Sequence, residues 1–174
     1  IGEGNFNGVV VRMEDRTWSK HDVDQILDVL DRERKLGRRV LLAGVFGGRL
    51  SEGIDYHNGL LDAVACIGIP NPPPSIHQKA LRTYIEERFG RANAWRYAST
   101  QPAINSILQA MGRPIRSIDD RALILLLDKR NTDRTYLECF PKDIRMNTTS
   151  QPETTKSFAR RFFSRVHRQS EGSS

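Results

Sequence analysis

Two short segments of this 174-residue chain combine the residue types that handle phosphate and ribose. The first is Gly47-Gly48-Arg49-Leu50-Ser51-Glu52-Gly53-Ile54-Asp55. Paired glycines let a backbone approach a ligand closely and turn its N–H groups toward an oxyanion. Arg49 has the charge to bridge phosphates, while Glu52 and Asp55 can accept hydrogen bonds from ribose hydroxyls or from another basic group. A tight strand-to-helix turn with solvated charges fits the same residues. The second segment is Gln109-Ala110-Met111-Gly112-Arg113-Pro114-Ile115-Arg116. Gly112 and Pro114 end a helix and leave Arg113 on a loop, where a guanidinium can bridge phosphate oxygens bidentately. Held there, it can stabilise charge developing on a transferred phosphoryl group, as an arginine finger does. Two solvated surface arginines are the alternative.

These residues need a frame, and the apolar pattern predicts one. Val9–Arg12, Val40–Phe46, Ala63–Ile69 and Ala122–Leu127 are runs of strand length. The last three are continuous apolar runs, as expected of parallel strands buried on both faces. Ser19-Lys20-His21-Asp22 reads as a capping box, followed by Val23, Ile26, Leu27 and Leu30 at helical spacing and Gly37 as a stop. A helix is expected over 75–89, with Ile76, Leu81, Tyr84, Ile85 and Phe89 as its apolar face. Trp95 and Tyr97 fall on a short helical segment and read as core aromatics ahead of base-stacking ones. Pro102 suits the first turn of another helix, which continues through Ile104, Ile107, Leu108 and Met111. The stretch 146–155 is polar and unpatterned. Beyond it, Lys156–Arg168 suits a basic helix around Phe158, Phe162, Phe163 and Val166, docked on the domain by those apolar residues. Strands alternating with helices predict an α/β fold, a mostly parallel sheet with helices on both faces plus that C-terminal basic helix. Ligands in such sheets gather at the carboxyl ends of strands, where the glycine-rich segment and the loop after Ile69 both fall.

Composition narrows the class. Lys and Arg number 27 against 21 Asp and Glu, a net charge of +6 that favours an anionic partner. Two cysteines, Cys66 and Cys139, form neither a disulfide framework nor a metal quartet, and both read as core. His21, His57, His77 and His167 share no metal spacing, so no metal is assigned. No apolar run suits a membrane span or a signal peptide, so the expected location is intracellular, with no membrane partner.

Taken together and in this order, the two segments resemble motifs V and VI of the iron–sulfur-containing XPD and DinG-like DNA helicases of superfamily 2. Gly68-Ile69-Pro70-Asn71-Pro72-Pro73-Pro74 is similar to that family's Gly-x-Pro turn, and Leu127-Asp128-Lys129-Arg130 to the Asp-Lys-Arg ending its last conserved strand. The resemblance runs from about Val40 to Arg130, with Pro114 standing where Ala or Leu is common. It implies a second RecA-like helicase domain over residues 1–146, then a polar linker and basic helix or tail over 147–174. By motif, Gln109, Arg113 and Arg116 would face the ATP phosphates, with Arg113 as the finger. Glu52, Gly53 and Asp55 would sit at the nucleotide edge. Arg49, Leu50 and Ser51, with the loop from Asn71 to Ser75, would lie nearer the DNA backbone. Arg160, Arg161 and Arg165 of the tail are further candidates for phosphate contact, and a solvated helix face is the alternative.

The chain has no Gly-x-x-x-x-Gly-Lys-Ser/Thr phosphate loop, no Asp-Glu-x-His box and no four-cysteine group. In the resembled family these lie in the N-terminal half, so the chain reads as a C-terminal piece, inactive alone. The resemblance implies ATP and Mg²⁺ as cofactors of the intact enzyme, with an iron–sulfur cluster only in the N-terminal half. Its implied partners are single-stranded DNA, the N-terminal RecA-like domain of the same protein and proteins of a repair complex. DNA repair is the implied setting, 5′-to-3′ the implied polarity, and the location cytoplasmic in a prokaryote or nuclear in a eukaryote. A non-catalytic DNA-binding or protein-interaction module on a helicase scaffold is the rival; Gln109, Arg113 and Arg116 count against it, since a scaffold needs none of them. A metabolic nucleotide-binding enzyme lacks its Gly-x-Gly-x-x-Gly fingerprint here.

Overall fold

Parallel strands cannot be joined by a tight turn, so each pair requires a crossover. A computed structural model describes residues 8–15, 17–54, 56, 59–115 and 117–171, the last six as backbone alone. Strand β1 (Val9–Met13) runs through helix α1 (Lys20–Lys35) to β2 (Arg39–Ala43), and the two strands pair in parallel with Val9 opposite Arg39. Strand β3 (Ala63–Ile67) leads into α2 (Ile76–Phe89), α3 (Arg91–Trp95) and α4 (Gln101–Met111), and returns as β4 (Leu123–Leu127), also parallel. A short 3-10 turn, α5 (Arg134–Leu137) and α6 (Pro152–Glu171) follow. Among the described residues the ladders form two two-stranded sheets, every pair parallel and every crossover helical. This is the mixed α/β pattern of a RecA-like domain.

Local chemistry sets the boundaries. Ser19 Oγ accepts from the Asp22 N–H at 3.3 Å and Asp22 returns the bond to the Ser19 N–H at 2.6 Å, a closed capping box at the start of α1. Hydrogen bonding to Ser19 holds the Asp22 carboxyl below its ordinary range. Gly37, at φ 67°, takes the left-handed turn that ends the helix region. Between α3 and α4 the helix does not break. A π-helical turn at Arg96–Thr100 links them, and it answers a problem set by Pro102. Proline lacks the N–H that would bond the carbonyl four residues back. That carbonyl belongs to Ala98, and it accepts instead from the side-chain amide of Gln78.

Three apolar clusters hold the frame. One joins Cys66 and Ile69 to Ala103, Ile104, Ile107 and Ala110 of α4 and to Cys139 and Phe140. A second packs Val23, Ile26 and Leu30 of α1 on Leu50, Ile54 and Tyr56. A small third one joins Ile85 to Ala94 and Ala98. Phe46, just beyond β2, packs into the first cluster and ties the two strand pairs together. Burial raises the Cys66 thiol to about 11, so it is an inert core group.

Several expectations need correction. Only Ile85 of the expected α2 face is buried, while Ile76, Leu81, Tyr84 and Phe89 are exposed. At about 100° per residue Ile76 lies opposite Ile85 on the helix, while Leu81 and Phe89 share the side of Ile85 but lie outside the small cluster that covers it. Trp95 and Tyr97 are half exposed, not core; the Arg82 guanidinium lies 5.6 Å from the Trp95 ring centre and Phe89 meets Tyr97 edge-on at 6.0 Å. Leu41, Ile67 and Leu127 are also substantially exposed, so the strands are not sealed on both faces. Ile67 and Leu127 are paired residues at the carboxyl ends of β3 and β4, where cover runs out. Finally, Phe158, Phe162 and Phe163 of α6 join none of the three clusters. The last residue packed on the first cluster is Met146, after which the polar stretch 147–151 has nothing to bury.

Candidate nucleotide and DNA site

At the carboxyl end of β2 the backbone turns sharply at Gly47, φ 75°, and enters a π-helical turn, Arg49–Gly53. Three side chains, two of them from distant parts of the chain, seat this turn. Glu14, one residue beyond β1, accepts from the N–H of Val45 at 3.1 Å through one carboxylate oxygen and from that of Leu50 at 3.3 Å through the other. Tyr56, buried, donates its hydroxyl to the Leu50 carbonyl at 3.1 Å. Burial and the nearby Glu14 charge push the Tyr56 phenol up, which keeps it a donor.

The third group is Arg113. Its Nε donates to the carbonyl of Ser51 at 2.6 Å, Nη1 to that of Ile54 at 3.0 Å and Nη2 to that of Glu52 at 3.0 Å. Helix α4 ends at Met111, with Gly112 as its cap, and the half-buried Arg113 leaves from the turn that follows. The geometry therefore joins the two segments about sixty residues apart that the sequence marked as chemically active. Three of the five donors of a guanidinium are occupied in this way, leaving two without a partner among the described residues.

The other candidates divide by surroundings. Gln109, Arg49, Glu52 and Gly53 are exposed around the seated turn. Ser51 is half-buried, and its hydroxyl donates to the Gly48 carbonyl at 3.0 Å. Leu50 does not suit the strand-contacting role expected of it. Its side chain lies in the second cluster, its N–H is held by Glu14 and its carbonyl by Tyr56. Beyond β3, the Asn71 side-chain amide donates to the Tyr136 hydroxyl at 3.2 Å, while its buried oxygen has no partner among the described residues. Ser75 caps α2, its hydroxyl accepting from the Gln78 N–H at 3.0 Å. Asp128, past β4, binds Arg130 at 2.7 Å, and the guanidinium holds its carboxyl below the ordinary range. Arg160, Arg161 and Arg165 are exposed along α6. Asp55 and Arg116 lie outside the described residues, as does His57.

Sequence reasoning missed Glu14 and Tyr56. The one available signal for Glu14 was an acid at the carboxyl end of an apolar strand, next to which a glycine-rich turn has N–H groups to satisfy. Tyr56 offered only its place after Asp55. The notion that the turn's N–H groups wait for an oxyanion also needs revision, because Glu14 already binds that of Leu50, together with that of Val45 just before the turn.

The frame is thus a parallel α/β fold with a glycine-rich turn after one strand, bound by an arginine from the end of a later helix. The chain belongs to the helicase C-terminal domain family, whose model matches residues 5–147. It is 38% identical over 95 residues to the ATP-dependent DNA helicase XPD of Sulfolobus acidocaldarius, covering 53% of this chain and 17% of that protein. It is 32% identical over 162 residues to the ATP-dependent DNA helicase chl1 of Schizosaccharomyces pombe, covering 84% of this chain and 19% of that one. A regulator of telomere elongation helicase 1 homolog from Caenorhabditis elegans is 35% identical over 122 residues, 65% of this chain and 12% of that protein. The chain thus spans less than a fifth of the length of each of these relatives. Among the described residues no helix is long and apolar enough to cross a membrane.

Proposed function

We propose that the chain is the second motor half of an ATP-dependent DNA helicase, completing a nucleotide site whose phosphate loop belongs to another domain of the same protein. The observation that supports this reading most is the Arg113 guanidinium bound to three carbonyls of the glycine-rich turn. It makes one rigid unit of a group suited to phosphate and a segment suited to a DNA strand. In this reading Arg113 and Arg116, with Gln109, address the ATP phosphates, the two spare donors of Arg113 acting as the finger. Glu52, Gly53 and Asp55 line the nucleotide edge. Arg49, Ser51, Asn71 and Ser75 face the single strand, and Leu50 supports them from the core.

The groups present do not fit an iron–sulfur cluster, since the chain has only two cysteines and both are buried. Nor do the described residues gather three carboxylate, imidazole or thiol side chains at any one place for Mg²⁺. The family resemblance implies both groups for the N-terminal half of the intact protein, and DNA repair and a nuclear or cytoplasmic location rest on that resemblance alone.

The intact protein is expected to hydrolyse ATP in a DNA-stimulated manner and to unwind a tailed duplex, while the 174-residue chain alone shows no hydrolysis above background. Stimulated turnover by the isolated chain would overturn the division of labour, and an intact protein that binds DNA without hydrolysing ATP would favour a non-catalytic scaffold.

The tail gives a second test. Arg160, Arg161 and Arg165 project from a helix whose aromatic residues pack on none of the three cores. Phosphate contacts add affinity without base preference. Each neutralised phosphate on single-stranded DNA contributes about 0.7 to the slope of log affinity against log salt. Changing all three arginines to Ala in the intact protein should flatten that slope by up to roughly 2 for every sequence tested. An unchanged slope and affinity would make α6 a solvated helix.

A further inference from the structure

The Glu14 carboxylate occupies the inner side of the glycine-rich turn so closely that the glycines there are shaped around it. A methyl group at Gly48 would lie 2.5 Å from one carboxylate oxygen and 2.7 Å from the other, and one at Gly44 would lie 2.7 Å from the first of these. The backbone of Gly48 is ordinary, φ −81° and ψ 172°, so neither a left-handed turn nor strain demands glycine at that position. What demands it is the acid. Gly44 is more crowded, because a methyl there also meets the Leu50 side chain at 3.0 Å.

From this we infer that Glu14 is a positioning residue for the helicase motor, holding the turn to the end of β1 through the Val45 and Leu50 N–H groups, with Gly48 retained to admit its carboxylate. The inference rests on the helicase reading for its consequence and on the hydrogen bonds alone for its geometry. Arg113 grips the carbonyl side of the same turn, so an acid and a base hold its two polar edges. Loss of the acid frees the leading edge of the turn, which carries Arg49 and Leu50, while the Ser51, Glu52 and Ile54 carbonyls remain attached to Arg113. Misplacement of about 1 Å away from the reacting atoms can cost about 10²-fold in rate.

The pair of residues makes an unusual double-mutant prediction. In the intact protein Gly48→Ala displaces the flexible tip of Glu14 rather than the backbone, so it should reproduce the effect of Glu14→Ala. The DNA concentration giving half-maximal stimulation of ATP hydrolysis should rise about tenfold in each, within the range such misplacement spans. Amide hydrogen exchange across 44–54 should quicken by a similar factor. The double variant should be no worse than either single one, since both remove the same contact. Glu14→Gln fills the same space, yet its amide has one acceptor oxygen for two N–H groups, so it should behave like Glu14→Ala and not like the parent. A role in packing alone predicts the reverse, with Gln restoring both readouts. Additive losses in the double variant, or full activity and slow exchange in Glu14→Gln, would overturn the inference. Exchange reads the contact even in a protein without ATPase activity, so failure of the helicase reading shows separately, as an absence of stimulated hydrolysis in the parent.

Discussion

Under the proposed reading as a helicase, Arg113→Ala in the intact protein should lower kcat for ATP hydrolysis by about 10³–10⁵-fold, the range in which finger arginines act in phosphoryl transfer. Two effects combine in that loss. The first is removal of the charge proposed to face the transferring phosphoryl group. The second is release of the Ser51, Glu52 and Ile54 carbonyls, which lose their charged donor at once. Arg113→Lys separates the two contributions. A lysine keeps the charge, but a single ammonium cannot span three carbonyls in the plane of a guanidinium fork. It should therefore remain severely impaired, with quickened hydrogen exchange across 51–54. Steady-state ATPase rates with and without single-stranded DNA are the measurement. Normal turnover in Arg113→Ala would make the residue a purely structural clasp and the assignment of motif VI a misreading.

The second large effect concerns the support beneath Arg113. Ile107 is completely buried in α4, where the first cluster joins that helix to β3. Ile107→Ala should cost about 2–5 kcal/mol, since the lost methylenes leave a cavity that a packed helix cannot fully close. That is a large share of the roughly 5–15 kcal/mol by which domains are stable. The melting temperature should fall by roughly 4–20 °C on the scaling for a domain of this size. Ile76→Ala is the matched control, because that side chain is 87% exposed and its loss should change stability by about 0.5 kcal/mol or less. Equal shifts in the two variants would mean that α4 does not carry the core described here. As α4 also presents Gln109 and the turn holding Arg113, the Ile107 variant should lose activity before it unfolds.

Local chemistry was legible residue by residue. The Ser19–Asp22 capping box, the stop at Gly37 and the four strands follow from side-chain hydrogen bonding, glycine geometry and apolar runs, all of which act over a few residues. The α2 face was misread because Ile76 lies opposite Ile85, and because Leu81 and Phe89, on the Ile85 side, meet too small a cluster to be covered. Trp95 and Tyr97 escaped for a related reason. Their exposure depends on what packs across from them, and here the neighbour is Arg82 or Phe89 and not a core.

By itself, the sequence determined the α/β class, the order of the elements and the two segments whose residue types suit phosphate chemistry, because motif order and period are properties of the chain. Only the tertiary structure decided how those segments meet. Glu14 and Leu50 are separated by 36 residues, and Arg113 and Ser51 by 62, distances over which no periodicity carries information. Their contacts exist because β1 and β2 pair in parallel, setting the end of one strand beside the turn that follows the other, and because α4 packs on β3 and delivers Arg113 to that turn. A glycine at 48 looked like an invitation to a ligand. Folding brought the chain's own carboxylate there, to satisfy N–H groups that the turn leaves without backbone partners.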